Sequence, residues 1–387
     1  MKIALVILHA DASRGGAERY TVDLSAALAA GGHDVTLLAQ TFARLPAGVA
    51  SAPLKCTGRS RLARYEGFLD ALDRHLAAHR YDIVHAMLPV RRCDLYHPHA
   101  GIAAEAIARG NLKHRGRLRQ RLSQVFTALN RKRQRFAQVE RQLLEGSHPP
   151  IVLCLSDYVK AEVRRHYRLG EDRLVRLFNA VDLKRFDPAV QPEAGFEMRR
   201  RYGVGMRDVL ALMVAQDFDR KGLGEAIRAV AQAADPSLRL LVVGRDHPKR
   251  YQRLAERLKL GQRVIFAGAM ADTYAFYRAA DFLVLPTRHD PCSLVVLEAL
   301  AMGLPVISTR YNGACEIMET GRHGFVLDNP ADVAALADAM RKLLDARTRR
   351  EMSGACTALR PQLAYTNHVA NLLGIYQRLS QPAAVSA

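Results

Sequence analysis

Short apolar runs alternate with segments of helical periodicity along almost the whole chain, and this alternation constrains the fold more than any other feature. Four runs in the first half and five in the second have the length and composition of buried strands. They are 2–8, 34–40, 81–88, 149–156, 209–215, 238–244, 263–268, 281–286 and 304–309. Buried strands that are separated by helices form parallel sheets. The sequence therefore predicts an α/β fold.

The alternation is interrupted at 177–195, where Asn, Asp, Pro and Gly break the apolar periodicity. We place an interdomain linker at 181–192, between a first domain over 1–180 and a second domain over 193–364. Each domain then has the usual size of one doubly wound unit. Residues 365–387 are expected to form a C-terminal helix and a tail. Other helices are expected at 17–30, 223–234, 249–260, 272–280 and 293–302.

The net charge of +19 is unevenly distributed. Residues 1–180 carry 29 Lys and Arg against 16 Asp and Glu, a balance of +13, and the remaining residues contribute +6. The first half is therefore expected to meet an anion, either nucleic acid, acidic lipid or a phosphorylated acceptor. Six cysteines without a CxxC pair indicate neither a disulfide framework nor a zinc knuckle, so the reducing cytoplasm is expected. The first apolar run is too short for a secretory or membrane segment.

The most basic part of the chain is the segment 109–145, and it has a helical pattern. Eight positions that are alternately four and three residues apart form a seam along one face of this helix. Seven of them are apolar and the remaining one is Lys132, and arginines flank the seam. The positions are 118, 122, 125, 129, 132, 136, 139 and 143. One interpretation is a long helix packed on its own domain. The other is an amphipathic helix on an anionic membrane surface, and one helix can do both.

A glycine pair, Gly15 and Gly16, follows the first strand and opens the first helix. Glycines at such a junction let backbone N–H groups approach a phosphate at the positive end of the helix. The pair can also serve only to shape the loop. The GxGxxG pattern of nicotinamide dinucleotide sites does not follow this strand, which disfavours such a cofactor.

The loop after the run 209–215 carries Arg220 and Lys221 immediately before a helical segment. Two cations at this position suit a diphosphate, although basic pairs also occur at solvated helix starts. The acids at 217 and 219 have the DxD form of a divalent-metal site. The adjacent cations oppose a metal there, so we expect a diphosphate site without a metal.

Two acids, Asp290 and Glu298, accompany an apolar run, and a carboxylate in such a run is costly unless a partner satisfies it. The segment 293–302 is expected to be a helix whose first-turn amides can face an anion. These are the amides of Ser293, Leu294 and Val295. Glu298 lies one turn beyond Leu294 on the same face, where it can accept hydrogen bonds from a ribose. Gly268 and Met270 are also expected at the donor site.

Two histidines, His97 and His99, precede Gly101 and a further helical segment. A histidine in a loop can bind a sugar hydroxyl or exchange a proton. The HxH spacing is also compatible with zinc, but the sequence offers no obvious third ligand. A purely structural role is the third possibility.

The spacing of Asp290 and Glu298 resembles the E-x7-E signature of retaining glycosyltransferases of GT-B fold, in the large family 4 group. Four further segments occur in the family's order. They are RGGAER (14–19), FNAVDLKRFDP (178–188), DFDRKG (217–222) and NGACEIM (312–318). Within the group, the segments 93–101 and 217–227 are most similar to lipopolysaccharide core glucosyltransferases.

The resemblance implies two Rossmann-like domains that face a cleft, with the nucleotide sugar held mainly by the second and the acceptor by the first. The C-terminal helix would cross back to the first domain. Glu298 would bind the donor ribose, Asp290 the donor sugar, and His99 the same sugar from the opposite wall. Arg220 and Lys221 would hold the diphosphate. The family's first acid is Glu, one methylene longer than Asp290, and its Gly-Arg pair is replaced here by Ala215-Gln216.

The implied activity is retaining, metal-independent transfer of a hexose from a nucleotide sugar, UDP-glucose, to the lipopolysaccharide core or another membrane glycolipid. Asp290, His99, Arg220 and Lys221 would be catalytic. The implied location is the cytoplasmic face of the membrane, contacted through 109–145. Alternatives are a nucleotide-sugar epimerase or phosphorylase of the same fold, or a nucleic-acid-binding protein. The last is disfavoured, because the basic segment has an aliphatic seam and no recognised nucleic-acid-binding motif.

Overall fold

The structure, a computed structural model, describes residues 1–56, 58–110, 131–270 and 272–380. Its contacts divide the chain into two compact units. The first comprises Met1–Phe178 and the described residues from His368 onward, and the second comprises Asn179–Asn367. The expected linker at 181–192 lies within the second unit. Its first residue pairs there with the end of that unit, since the amide of Val181 donates to the carbonyl of Leu363 at 2.8 Å.

The described residues of the first unit contain a seven-stranded parallel sheet in the order β5-β3-β1-β6-β7-β8-β9, and β2 and β4 form a separate short pair. The strands are β1 (Lys2–Val6), β2 (His9–Ala10), β3 (Asp34–Ala39), β4 (Thr41–Phe42), β5 (Val49–Pro53), β6 (Ile83–Ala86), β7 (Leu95–Tyr96), β8 (Ile151–Cys154) and β9 (Leu174–Arg176). Residues 3–6 of the central strand β1 are fully buried, because both faces of the sheet are covered.

The described residues of the second unit contain a six-stranded parallel sheet in the order β12-β11-β10-β13-β14-β15. The strands are β10 (Val209–Val214), β11 (Leu238–Val243), β12 (Val264–Gly268), β13 (Phe282–Val284), β14 (Val306–Thr309) and β15 (Gly324–Leu327). This is the order of a doubly wound, Rossmann-like sheet.

Helices connect the strands in both units. In the first unit they are α1 (Gly16–Ala30), α2 (Arg61–Ala78), α3 (Ala103–Gly110), α4 (Arg131–Leu144) and α5 (Asp157–His166). In the second they are α6 (Ala194–Arg201), α7 (Leu223–Ala233), α8 (Lys249–Arg257), α9 (Tyr274–Ala279), α10 (Leu294–Ala301), α11 (Val333–Lys342) and α12 (Ala346–Ala358). The C-terminal helix α13 (Tyr365–Ser380) starts in the second unit and continues in the first from His368.

The expected α/β fold is confirmed, and each of the apolar runs contains a strand. Strands β2, β4, β5, β7, β9 and β15 were not anticipated, because they are short or lack a strong apolar run. None of the helices in the described part of the chain is long and apolar enough to cross a membrane.

Candidate functional site

The strand order of the second sheet switches direction at β10. Strands β11 and β12 lie on one side of β10, whereas β13, β14 and β15 lie on the other. The loops that follow β10 and β13 therefore leave the same edge of the sheet on the two sides of the switch. Ligands of doubly wound sheets bind at this edge. The loop after β10 carries Arg220 and Lys221, and the loop after β13 carries Asp290.

An ion pair joins these two loops, between the ammonium of Lys221 and the carboxylate of Asp290. Both side chains are about nine-tenths buried, with exposed fractions of 12% and 10%. Burial would raise the pKa of Asp290, but the charges of Lys221 and Arg220 hold it below its ordinary value. Burial, reinforced by Arg220, lowers the pKa of Lys221 against the opposing charge of Asp290. The site therefore holds an ionised carboxylate, Asp290, which stabilises the charge of the Lys221 ammonium.

Arg220 connects the same two loops. Its Nη1 donates to the carbonyl of His289 at 2.7 Å, and its Nε lies 3.3 Å from the carboxylate of Asp217. Asp219 pairs with Arg250 at 2.8 Å, so both acids of the DxD triplet have arginine partners. The carboxylates of the triplet therefore already have cationic partners. Among the described residues, no group of three or more His, Cys, Asp or Glu side chains is arranged to hold a metal ion.

The backbone of Asp290 is fixed by the loop after β14. Its amide donates to the carbonyl of Tyr311 at 2.8 Å, and its carbonyl accepts from the amide of Gly313 at 3.0 Å. Asn312 forms the centre of this contact, since its Oδ1 accepts from the amides of Ser293 and Ala314 at 3.2 and 3.1 Å. The sequence pattern includes Asn312 but did not assign it this role.

Helix α10 starts beside Asp290, with Ser293 as its N-terminal cap. The amide of Ser293 is engaged with Asn312, which differs from the expectation that it faces an anion. Leu294 and Val295 are the first two residues of the helix, and their amides have no intrahelical acceptor. They leave two donors at the positive end of the helix, at the same edge of the sheet as Lys221.

Glu298 lies on α10 one turn beyond Leu294 and is partly buried. Its Oε2 accepts a hydrogen bond of 2.7 Å from the hydroxyl of Tyr277 on α9. Burial, together with the charge of Glu298, raises the pKa of Tyr277 well above its usual value, so this hydroxyl remains a donor. The hydrogen bond from Tyr277 therefore helps to stabilise the carboxylate of Glu298 in this apolar segment. No spacing in the sequence identified this residue.

Gly268 is the last residue of β12, the outermost strand on one side of this sheet, and Met270 lies in the segment that follows it. Gly268 ends β12 with a φ of +77°, and its carbonyl accepts from the amide of Gly244 at 2.8 Å. Gly244 directly follows β11, the strand between β12 and β10. A Cβ on Gly244 would stand 1.7 Å from the carbonyl oxygen of Ala215. A glycine is thus required where the loops after β10 and β11 meet, a constraint that sequence reasoning missed.

Gly15 and Gly16 lie in the first unit, at the start of α1. Glu18, in the first turn of this helix, occupies the space beside Gly15, because a Cβ on Gly15 would approach its Oε2 to 2.8 Å. A phosphate at this helix start would therefore face a carboxylate. The contacting oxygen is at the end of a flexible side chain that can shift, so this contact does not by itself require glycine at position 15.

His99 also lies in the first unit, in the loop after β7. Its ring contacts those of Tyr20 and His97 in tilted geometry, with interplanar angles of 41° and 46° and centroid distances of 4.1 Å in both cases. Burial lowers the pKa of His99 well below its ordinary value, so the imidazole is neutral. Its Nε2 is buried and has no hydrogen-bond partner among the described residues. The rings of His97 and His99 are tilted against each other by 46°. Among the described residues, they are not part of a group of three or more His, Cys, Asp or Glu side chains that could hold a metal ion.

A buried carboxylate that the sequence did not reveal holds the loop of His97 and His99. Glu140 on α4 accepts hydrogen bonds of 2.5 Å from the hydroxyls of Tyr96 and Tyr167. It also accepts from the amide of Ala103, at 2.8 Å, and from that of Ala104. Because Tyr96 precedes the loop and Ala103 follows it, one side chain fixes both ends.

The basic segment is only partly described, because 111–130, with seam positions 118, 122, 125 and 129, lies outside the described residues. In α4, Val139 and Leu143 are buried, and Phe136 stacks on Tyr65 with a centroid distance of 4.1 Å. Arg131 and Arg133 are exposed. The described part of the seam therefore packs on its own unit and leaves cations at the surface.

Comparison with known proteins gives a match in each half of the chain. The family model Glycosyltransferase Family 4 matches residues 14–185, and the model Glycosyl transferases group 1 matches residues 196–356. The lipopolysaccharide glucosyltransferase WaaG of Escherichia coli strain K12 is 28% identical over 338 residues, which cover 85% of this chain and 86% of that protein.

Solved structures show the same fold. The crystal structure of WaaG, a glycosyltransferase involved in lipopolysaccharide biosynthesis, has a TM-score of 0.83 at 23% identity and covers 97% of this chain and 99% of its own. The Anabaena protein HepE in complex with UDP-glucose has a TM-score of 0.73 at 18% identity, over 97% of this chain and all of its own. At these identities the similarity establishes the fold alone.

Proposed function

This chain is a glycosyltransferase of GT-B fold, with a family 4-like first half and a group 1 second half, and we propose that it is a retaining hexosyltransferase. It moves glucose from UDP-glucose to the lipopolysaccharide core or another membrane glycolipid. The observation that carries this proposal is the Lys221–Asp290 pair at the switch point, next to a helix start and Glu298. The named activity of the Escherichia coli relative supports glucose as the sugar.

The proposed donor site uses the loops after β10 and β13 and the start of α10. The amides of Leu294 and Val295, with Arg220 and Lys221, bind the diphosphate through charge-assisted hydrogen bonds. Glu298, whose carboxylate also accepts from the hydroxyl of Tyr277, accepts hydrogen bonds from the ribose hydroxyls. Gly268 and Met270, at the end of β12, contribute to the nucleotide side of the same site.

The proposed reaction is a substitution at the anomeric carbon on one face of the sugar. An acceptor hydroxyl forms the new bond to this carbon while the bond to the diphosphate oxygen breaks, and the departing phosphate takes the hydroxyl proton. Negative charge grows on the leaving group, where Lys221, Arg220 and the helix amides stabilise it most. Asp290, ion-paired with Lys221, binds sugar hydroxyls and keeps this cation charged. His99, in the first unit, binds a sugar hydroxyl.

Retention is tested by determining the anomeric configuration of the product with the α-linked donor. An α-linked product is expected, and a β-linked product contradicts the proposal. The reaction is also expected to proceed without a metal ion, because Lys221 and Arg220 supply the charge that a metal would supply. Activity that EDTA abolishes and Mn²⁺ or Mg²⁺ restores contradicts this part of the proposal.

The donor and acceptor are tested together with a panel of nucleotide sugars, each incubated with and without lipopolysaccharide core acceptors. Transfer of glucose from UDP-glucose to a core glycolipid is the expected result. Free epimerised sugar without acceptor, or sugar release that requires inorganic phosphate, indicates instead an epimerase or a phosphorylase. A bound donor also raises the melting temperature, so binding can be ranked across the panel independently of turnover.

We propose that the basic segment 109–145 holds the enzyme on the cytoplasmic face of the membrane. The exposed Arg131 and Arg133 support this docking, since each cation near an anionic surface contributes about 1 kcal/mol. Binding to vesicles with acidic lipid, weakened by salt and absent with neutral lipid, is expected. Equal binding to both vesicle types, or tighter binding to RNA, contradicts it.

A further inference from the structure

The ring of His99 is oriented by packing. Its Nε2 has no hydrogen-bond partner in the described residues, although a buried polar atom without a partner is uncommon. Among the described residues, the rings of Tyr20 and His97 contact it, each with a centroid distance of 4.1 Å. The orientation of His99 therefore depends on what fixes these neighbours.

Tyr20 is fixed by the C-terminal helix. Its hydroxyl lies 2.7 Å from the Nε2 of His368, a residue 348 positions away in the chain, and both side chains are buried. The Nδ1 of His368 lies 2.8 Å from the carbonyl oxygen of Phe178. A carbonyl only accepts hydrogen bonds, so Nδ1 carries the proton.

The tautomer of His368 gives the remaining bond its direction. Burial lowers the pKa of His368 to about 4, so its ring is neutral and its Nε2 is an acceptor. Burial also raises the pKa of Tyr20, which keeps its hydroxyl protonated. The tyrosine therefore donates to the histidine, and the bond holds the Tyr20 ring in place against His99.

We infer that Tyr20 and His368 are positioning residues for His99, and that α13 orients the sugar-binding imidazole through them. The inference rests on the proposed role of His99 as a sugar-binding residue. It gives α13 a part in turnover that neither the family matches nor the sequence pattern assigns to it. The described residues of α13 from His368 onward belong to the same unit as His99, so the connection lies within one compact body.

The test is a double-mutant cycle on Tyr20 and His99. Y20F keeps the ring that contacts His99 and removes the hydroxyl, so kcat/KM is expected to fall roughly three- to tenfold, the scale of one hydrogen bond. H368F is expected to have the same effect. Y20L removes the ring contact and is expected to match H99A, and the double variant Y20L/H99A is expected to be no worse than H99A alone. Y65F is the control, because it deletes another buried hydroxyl, which donates to the carbonyl of Pro89 at 2.7 Å.

The cycle separates a positioning role from a structural one. If the losses of Y20L and H99A multiply in the double variant, or if Y65F lowers kcat/KM as much as Y20F, the inference is overturned. The imidazole NMR signals of His99 provide a readout without substrate, and they are expected to shift in Y20F and H368F but not in Y65F. Unshifted signals also overturn it. Shifted signals together with wild-type kinetics for H99A contradict the proposed function of His99 instead.

Discussion

The ammonium of Lys221 and the carboxylate of Asp290, 69 positions apart in the chain, form an ion pair between the loops after β10 and β13. The sequence pattern assigned them separate roles, one at the diphosphate and one at the sugar. Their contact makes the two roles interdependent, since a buried ammonium is costly without a partner. The arrangement keeps a cation at the switch point of the sheet before any ligand binds.

Replacement of Lys221 by Ala is expected to lower kcat by roughly 10², the scale of losing one group that stabilises transition-state charge. Steady-state kinetics with saturating donor measure this loss. R228A is the control, because Arg228 is an exposed cation on the following helix α7 and pairs only loosely with Glu225 at 3.8 Å. Wild-type kinetics for K221A would refute the proposed role of this lysine.

Asp290→Asn is expected to change the pH dependence of the reaction. Without the carboxylate, burial and Arg220 lower the pKa of Lys221 further, so the ammonium loses its proton at a lower pH. The alkaline limb of the kcat/KM profile is therefore expected to move to lower pH in D290N, with activity lost as pH rises. An unmoved limb means that Asp290 does not control the charge of Lys221.

Glu298→Gln is expected to weaken donor binding by roughly tenfold, since hydrogen bonds to a charged acceptor contribute about 1.5–3 kcal/mol. Tyr277→Phe leaves the carboxylate in place and removes only one donor to it, so a smaller loss is expected. The chain contains no Trp, so calorimetry is preferred to intrinsic Trp fluorescence for this measurement. A Y277F variant that binds more weakly than E298Q would show that the tyrosine, not the acid, contacts the donor.

Glu140→Gln is expected to destabilise the protein by about 1–3 kcal/mol, the cost of leaving a buried donor unsatisfied. Gln replaces one carboxylate oxygen by an NH2 group, which is a donor. This group would face the hydroxyl or backbone amide donors that now bond to the oxygen. Urea unfolding measures the change. E145Q is the matched control on the adjacent turn, because Glu145 is exposed and its pair with Arg141 is 3.5 Å long. Equal stability for both variants would contradict the account of this carboxylate.

The buried histidines are expected to make the stability depend on pH. Burial lowers the pKa of His85 to about 3 and that of His368 to about 4. Both histidines therefore stay neutral in the folded state at pH values below about 6.5, where they become protonated in the unfolded chain. Their contribution is complete above this pH and is lost as pH falls. Between pH 7 and 5 each histidine is expected to reduce the free energy of unfolding by about 2 kcal/mol.

Comparison of urea unfolding at the two pH values in the wild type and in H85Q tests this dependence. The variant is expected to lose less stability on acidification than the wild type. H148Q, which removes an exposed histidine, is expected to behave as the wild type. The same loss in H85Q and the wild type would show that His85 is not a source of the pH dependence.

The sequence predicted the parts of this molecule that follow from local pattern. The runs at 2–8 and 209–215 became β1 and β10, because continuous burial leaves a continuous apolar signature. Strand β5, with its partly exposed Val-Ala-Ser-Ala-Pro sequence, has no such signature. The family motifs also indicated which loops carry Arg220, Lys221 and Asp290.

The contacts of those residues could not be predicted, because they depend on pairs that only the fold brings together. Tyr277 reaches Glu298 from a different helix, and Glu140 reaches Tyr96 across 44 positions. Asn312 takes the amide of Ser293 that was expected to remain available, since the loop after β14 closes over the start of α10. Each contact depends on three-dimensional neighbours that no spacing encodes.

The most direct test is a crystal structure of this protein soaked with UDP-glucose. The expected result is a diphosphate within hydrogen-bond distance of Lys221 and of the amides of Leu294 and Val295, and a ribose held by Glu298. A donor bound elsewhere, with Glu298 in contact only with Tyr277 and other protein groups, would contradict it.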